Sequence, residues 1–417
     1  MRLGLVSATY PFGAKEPYLD VELRELAPAL DALLVYPAAP QSRRRGFDDV
    51  PGDVAGIGLF APRTLALALR AALSHPRRVL GVLHALLTDR YPPRVKLKNL
   101  AVVPKGLALA TLARARRLDH LHAYWLSTPA TVAWIAGRIA GIPFSATAHR
   151  WDVYENNMAA RKVREAAFVR TISERGRRDL LARTDGDPAN VHVVRLGVAL
   201  PDEPVAGGAA SASRAARSHA LAQEPNAIAP LRILCAAALV PVKDHRTLLE
   251  ALRLLREDGV AFACTLAGEG PLRDDIAREI ARLGLDDAVI PAGRIPHDEL
   301  LAALASGRYD VSVIASAEHA GGLMEGVPVA LIEAMAAGCA VVATSSGSVG
   351  ELVDGETGLL VPHSDPRALA EALGTVARDP ALAERLREAG RARVRADYDV
   401  RRTVSAWRAL FAGATPG

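Results

Sequence analysis

Short apolar runs alternate along the chain with longer stretches whose apolar positions recur every three to four residues. In the first half, residues 3–7, 32–36, 120–123, 144–148, 169–172 and 191–195 read as strands. Helical patterns fall between them, as at 129–140 and 173–183. The strand runs are almost wholly apolar rather than alternating, which predicts a mostly parallel sheet covered on both faces by helices. The texture changes over 201–230, where small and polar residues without period read as a linker or mobile loop. Alternation then resumes. Strands are expected at 233–238, 262–267, 288–291, 311–315 and 340–344, with helices at 244–257, 272–283, 298–305, 328–337 and 366–377. A helical, amphipathic tail follows over 381–411.

This pattern predicts an α/β protein of two Rossmann-like, doubly wound units. The expected division is 1–200, a linker at 201–230, a second domain over 231–395, and a C-terminal helix at 396–417 packing back toward the first domain. Open sheets of this kind take ligands beyond the carboxyl ends of their strands, so two of them are expected to face one another across a binding cleft.

Composition narrows the class. The 417 residues are 50% apolar and 23% charged, a globular balance too long for one ordinary core. Residues 1–200 carry 29 Lys+Arg against 17 Asp+Glu, a balance of +12. Residues 201–417 carry 22 against 29, a balance of −7, and the two make the net +5. A basic first half points to an anionic partner on that side. Cys235, Cys264 and Cys339 lie in apolar runs without metal or disulfide spacing, which fits a reducing cytoplasm. The apolar stretch 3–6 is too short for a secretory signal, and no run is long enough to span a membrane. The expected location is cytoplasmic, with the inner face of the plasma membrane as a peripheral alternative.

Chemistry concentrates in residues 309–358. A strand ends in a polar loop holding Glu318 and His319, and Glu325-Gly-Val-Pro then leads into an apolar helix. Pro328 suits a helix start and Gly338 the position just past the end. Free amides and the macrodipole at such a start favour a phosphate. Glu333 is a carboxylate among Val329, Ala330, Leu331, Ile332, Ala334 and Met335, so it must find donors or face water.

Glu325-x7-Glu333, the run 334–344 and the run 350–361 together resemble the donor domain of family 4 glycosyltransferases. These are retaining enzymes of the GT-B fold. Leu239-Val-Pro-Val-Lys-Asp-His245 is similar to that family's donor-diphosphate segment, and Leu266-Ala-Gly-Glu-Gly-Pro-Leu272 to its next loop. The resemblance implies that Lys243 holds the diphosphate, Glu333 the nucleoside ribose and Glu325 the transferred sugar. It further implies that the backbone through Gly326, Val327, Pro328, Ala330 and Leu331 cradles sugar and phosphate. Gly268 and Glu269 would border the donor, and Arg294 the base. Many relatives carry Gly-Arg where this chain has Ala237-Ala238, so the diphosphate clamp lacks its usual arginine.

The first half resembles bacterial polysaccharide-assembly members of that group, of the colanic-acid type. The resemblance lies in residues 10–23, His122-Ala-Tyr-Trp125 and Ala148-His-Arg-Trp-Asp-Val-Tyr154. It implies His149 beside the transferred sugar and Gly13 close to donor or acceptor. Lys15, Glu16 and Asp152 are expected on the acceptor side. By itself, a histidine after a strand is more often a structural hydrogen-bonder.

The implied reaction moves a hexose-type sugar from a UDP- or GDP-linked donor to a hydroxyl of a glycan or polyprenyl-diphosphate-linked acceptor. No metal and no further cofactor are implied. The alternatives are a catalytically inactive donor-binding partner subunit and a GT-B sugar-nucleotide epimerase. Arg63, Arg70, Arg77, Arg78, Arg94, Lys96, Lys98, Lys105, Arg114, Arg116 and Arg117 lie in apolar helical segments, a pattern that suits an anionic membrane surface. Nucleic acid is not expected, because this stretch has no interleaved aromatics and no known module.

Overall fold

The computed structural model describes residues 1–12, 16–39, 49–55, 58–200 and 230–414. It divides into two units, Met1–Gly197 with Val400–Gly417, and Val198–Asp399. The expected linker at 201–230 lies outside the described residues except for Pro230.

The first unit is built on seven strands: β1 (Arg2–Ser7), β2 (Ala32–Pro37), β3 (Asp53–Val54), β4 (His120–Ala123), β5 (Phe144–Ala148), β6 (Val169–Thr171) and β7 (Val191–Val193). Their order is β3-β2-β1-β4-β5-β6-β7, and every pairing is parallel. Leu5 of β1 lies opposite Val35 on one side and His122 on the other. The order reverses between β1 and β4, so the loops leaving these strands open a crevice at their carboxyl ends. Pro62, Pro76 and Pro93 each open a helix: Pro62–Ser74, Pro76–Thr88 and Pro93–Ala101. A proline costs nothing there, because first-turn amides have no intrahelical partner. Pro62–Ser74 packs on Val103–Ala115, which packs on the almost wholly buried Thr128–Ala140 against the sheet. The C-terminal helix Val400–Ala414 belongs to this unit, with Trp407 fully buried beneath the guanidinium of Arg170.

The second unit carries β8 (Leu231–Ala236), β9 (Phe262–Ala267), β10 (Val289–Gly293), β11 (Val311–Ile314), β12 (Ala340–Ser345) and β13 (Leu359–Pro362). All are parallel in the order β10-β9-β8-β11-β12-β13, so the reversal falls between β8 and β11. Ile233 of β8 lies between Cys264 and Val311 in a core shared with Leu248, Leu252 and Leu373. The α/β class expected from the apolar periodicity is the one observed. Two strands were not legible. Asp53–Val54 is too short for any period, and Leu359–Pro362 is only half buried and reads as loop.

Candidate functional site

In the second unit the reversal between β8 and β11 collects the expected donor residues. After β8 the chain makes a single turn, Pro241–Lys243, and Asp244 (φ +40°) starts the helix His245–Glu257 by accepting from the amide and hydroxyl of Thr247. The carbonyl of Val242 accepts from Ala317 N at 3.0 Å, tying this turn to the loop that leaves β11. Lys243 Nζ meets Glu325 Oε2 in a direct ion pair. Glu325 is buried, and it also accepts from Ser316 Oγ at 2.8 Å and from Gly326 N at 3.0 Å.

The backbone of Glu325 is fixed with equal care. Its amide donates to Ser346 Oγ at 3.1 Å, and Ser346 Oγ donates in turn to the carbonyl of Ala317. Gly347 (φ +57°) presses on the carbonyl of Glu325, where a Cβ would stand 1.7 Å from the oxygen. Its amide donates to Glu318 Oε1 at 2.8 Å. None of Ser316, Ser346 and Gly347 was singled out by sequence reasoning. Their partners are distant in the chain, and short polar residues after strands look like ordinary loop. Glu318 was read only as a polar loop residue.

The helix after Glu325 runs Val329–Ala336, so Pro328 is its cap rather than its first residue. Val327, Pro328 and Leu331 are buried, whereas Gly326, Val329 and Ala330 are partly exposed on the outer side. Leu331 N already donates to the carbonyl of Pro328 at 3.0 Å, which leaves the amides of Val329 and Ala330 at the helix start for a negatively charged group. Glu333 resolves its expected dilemma through a donor: His297 Nε2 lies 2.7 Å from its Oε1. That contact raises the pKa of His297, with the Glu333 hydrogen bond the largest cause. Gly268 follows β9 and lies against the backbone of Ala237, where a Cβ would fall 1.9 Å from the carbonyl oxygen. Glu269 beside it and Arg294 after β10 are both exposed.

Chemistry in the first unit gathers at the ends of β1, β4 and β5. His149 directly follows β5 and is 5% exposed, its ring 4.2 Å from that of Trp125. Nε2 lies 3.1 Å from the carbonyl of Tyr124, and since a carbonyl only accepts, that nitrogen carries the hydrogen. Burial, assisted by the charge of Arg170, lowers its pKa to about 3, so the ring is neutral.

Two residues expected on the acceptor side do something else here. Asp152 is 2% exposed, and its carboxylate accepts from the amides of Leu126, Ser127 and His149 at 3.0–3.1 Å. Burial still raises its pKa to about 6. Glu16 is 1% exposed and accepts from the amides of Thr9 and Tyr10 at 2.9 and 2.8 Å and from Trp125 Nε1 at 2.7 Å. Both carboxylates are filled by backbone and indole donors, so they shape the crevice rather than offer oxygens to it. Gly13 and Lys15 lie outside the described residues. Behind the crevice, Arg170 and Glu22 form a fully buried pair at 2.6 Å, hinted at only by an arginine inside the apolar run 169–172. Among the described residues no cluster of His, Cys, Asp and Glu is arranged to hold a metal.

Residues 221–393 match the family model described as Glycosyl transferases group 1. The chain carries a group 1 glycosyl transferase domain. That domain holds Lys243, Glu325 and Glu333 together with their supporting serines and glycine. Similar proteins include WcaL of Escherichia coli (strain K12), whose name assigns it provisionally to colanic acid biosynthesis as a glycosyltransferase. It is 41% identical over 34% of this chain and 35% of its own. The amylovoran biosynthesis glycosyltransferase AmsK of Erwinia amylovora is 35% identical over 41% of this chain and 42% of its own. The chain thus spans well under half the length of these curated relatives.

Across nearly the whole chain the likeness is one of fold. Anabaena HepE, solved in complex with UDP and glucose, aligns with a TM-score of 0.68 at 17% identity, covering 99% of this chain and 100% of that one. Sucrose-phosphate synthase of Thermosynechococcus elongatus aligns at 0.70 and 20% identity, covering 99% and 100%. Both parallel-sheet units of the GT-B fold are therefore present.

Proposed function

We propose that the protein is a retaining glycosyltransferase of cell-surface polysaccharide or glycolipid assembly, transferring a hexose-type sugar from a nucleoside-diphosphate donor to a hydroxyl of a glycan or lipid-linked acceptor. The observation that carries this reading is the Lys243–Glu325 pair, braced by Ser316 and Ser346 beside the open start of helix Val329–Ala336. A leaving nucleoside diphosphate develops negative charge. An ammonium group and first-turn amides that are already in place stabilise that charge without reorganising.

In this reading Lys243 and the helix start bind the diphosphate, and Glu333 accepts from the ribose hydroxyls. Glu325 contacts the sugar, while Gly268, Glu269 and Arg294 border the nucleotide. The absence of an arginine at Ala237 and Ala238 puts more of the diphosphate on the helix start. The acceptor oxygen bonds to the anomeric carbon on the face from which the diphosphate oxygen departs. The acceptor's proton passes to a phosphate oxygen. His149, neutral at physiological pH, positions the sugar by hydrogen bonding and ring contact rather than by proton transfer. An acceptor borne on a polyprenyl diphosphate would be met at an anionic membrane surface.

Calorimetric titration with a panel of UDP- and GDP-sugars tests the donor site, with Lys243→Ala and Glu325→Ala as controls. Saturable binding of one donor, weakened in both variants, is expected. Binding that ignores both substitutions would overturn the assignment.

A further inference from the structure

No helix among the described residues is long and apolar enough to cross a membrane, yet the first unit displays an unusual surface. Of the ten large apolar side chains that stand exposed among the described residues, seven lie between positions 60 and 97. Isolated exposed leucines need no explanation, but a concentration on three successive helices does.

On helix Pro62–Ser74, Leu65, Leu69 and Leu73 repeat at four-residue spacing and so form one stripe, with Leu73 74% exposed. The opposite side of the same helix is buried through Thr64, Ala68 and Ala71. On helix Pro76–Thr88, Leu80 and Leu87 stand seven apart on one face, with Arg77 and His84 in the same row. On helix Pro93–Ala101, Leu97 is 71% exposed between Arg94 and Lys98.

The charge of this face has one sign. Residues 58–101 hold eight Lys and Arg against a single acid, Asp89, and Asp89 is taken up by Arg161. Arg63, Arg70, Arg77, Arg90 and Arg94 have no ion pair among the described residues. Beside Leu80 opens a cavity of about 760 Å³ lined by Arg77, Arg78 and Arg138, with the carboxylate of Glu165 engaged by Arg138 at 2.7 Å. A protein partner of ordinary composition would leave these guanidinium groups unmatched. A bilayer of anionic lipid matches both the leucines and the arginines, since acyl chains take the former and phosphates the latter.

The structure assigns the face formed by helices Pro62–Ser74, Pro76–Thr88 and Pro93–Ala101 as a docking surface for an anionic bilayer, with the leucines in the acyl boundary and a lipid phosphate in the arginine-lined cavity. This specifies the membrane contact suggested for a lipid-linked acceptor, but it stands on surface residues of the first unit, none of which is assigned to the donor site. Either reading can therefore fail alone.

The test is flotation of the full chain with vesicles of phosphatidylcholine alone and of equal parts phosphatidylcholine and phosphatidylglycerol. Wild type is expected to float with the mixed vesicles and much less with the neutral ones. Leu69→Glu and Leu73→Glu should each lower the partition coefficient roughly tenfold at both low and high salt. Arg70→Gln, Arg77→Gln and Arg94→Gln should each lower it roughly fivefold, at low salt only. These positions are exposed, and an unchanged thermal unfolding midpoint separates lost docking from lost fold. Equal flotation of wild type and leucine variants would overturn the proposal, and so would equal binding to neutral vesicles. A concentration-dependent dimer abolished by Leu73→Glu, with no flotation, would instead make the face an interface between copies. Donor titration run on the same variants should be unaffected.

Discussion

Replacing Lys243 by Met keeps the aliphatic stem and removes only the charge, leaving Glu325 with donors that include Ser316 and Gly326. The two side chains are 17% and 11% exposed, so water screens the pair partly. Breaking a fully buried pair costs about 3–5 kcal/mol and an exposed one under about 1, which places this substitution at roughly 1–3 kcal/mol in the second unit. Glu325→Gln should cost roughly 1–2 kcal/mol, because the orphaned ammonium is the more exposed partner. The double variant should recover part of the sum, with a coupling of about 1–2 kcal/mol in a double-mutant cycle read from thermal or urea unfolding. The same Lys243→Met variant should bind the nucleoside diphosphate about ten- to a hundredfold more weakly, the worth of one charge-assisted contact. Strictly additive stability losses together with unchanged nucleotide affinity would refute both the pairing and its role.

Gly347→Ala should destabilise the second unit by more than about 2 kcal/mol and weaken donor binding, because φ is +57° and the new methyl would strike the Glu325 carbonyl; urea unfolding and titration read the two effects. His297→Ala should raise the donor KM severalfold with little change in kcat by freeing the Glu333 carboxylate, whereas His297→Gln should restore much of the loss. Acid should unfold the chain steeply. His120 and His245 are lowered to about 4 and His149 to about 3, all mainly by burial, so the native state holds them neutral where the unfolded chain protonates them. Each therefore contributes stability that is present above pH 6.5 and lost as pH falls toward 4, by up to about 1.4 kcal/mol per pH unit per histidine. A midpoint independent of pH between 6.5 and 4 would contradict this.

The parts of the site legible in the chain were those that sit on local patterns. Glu325, Pro328 and Glu333 stand out because a carboxylate, a turn and an apolar helix follow in order, whereas Lys243 was marked only by the likeness of 239–245 to the donor-diphosphate segment of family 4 glycosyltransferases. What supports them was not legible. Ser316, Ser346 and Gly347 act on Glu325 only after β11 and β12 are paired, and nothing within a few residues of each distinguishes it from solvent-exposed loop. Glu16 and Asp152 show the reverse error. The resemblance put both on the acceptor side, whereas both carboxylates turn inward and close loops by taking backbone amides. The basic helices of the first half were visible as charge. The leucines exposed beside them were not, because apolar periodicity alone does not say which face of a helix meets the core.

The most direct test of the central claim is release of nucleoside diphosphate from the preferred sugar nucleotide by wild type and by Glu325→Ala at saturating donor. The expected result is measurable turnover by wild type, faster with a glycan acceptor, and a loss of at least tenfold in the variant. Wild type and variant turning over alike, or neither releasing nucleoside diphosphate from any donor that binds, would contradict it.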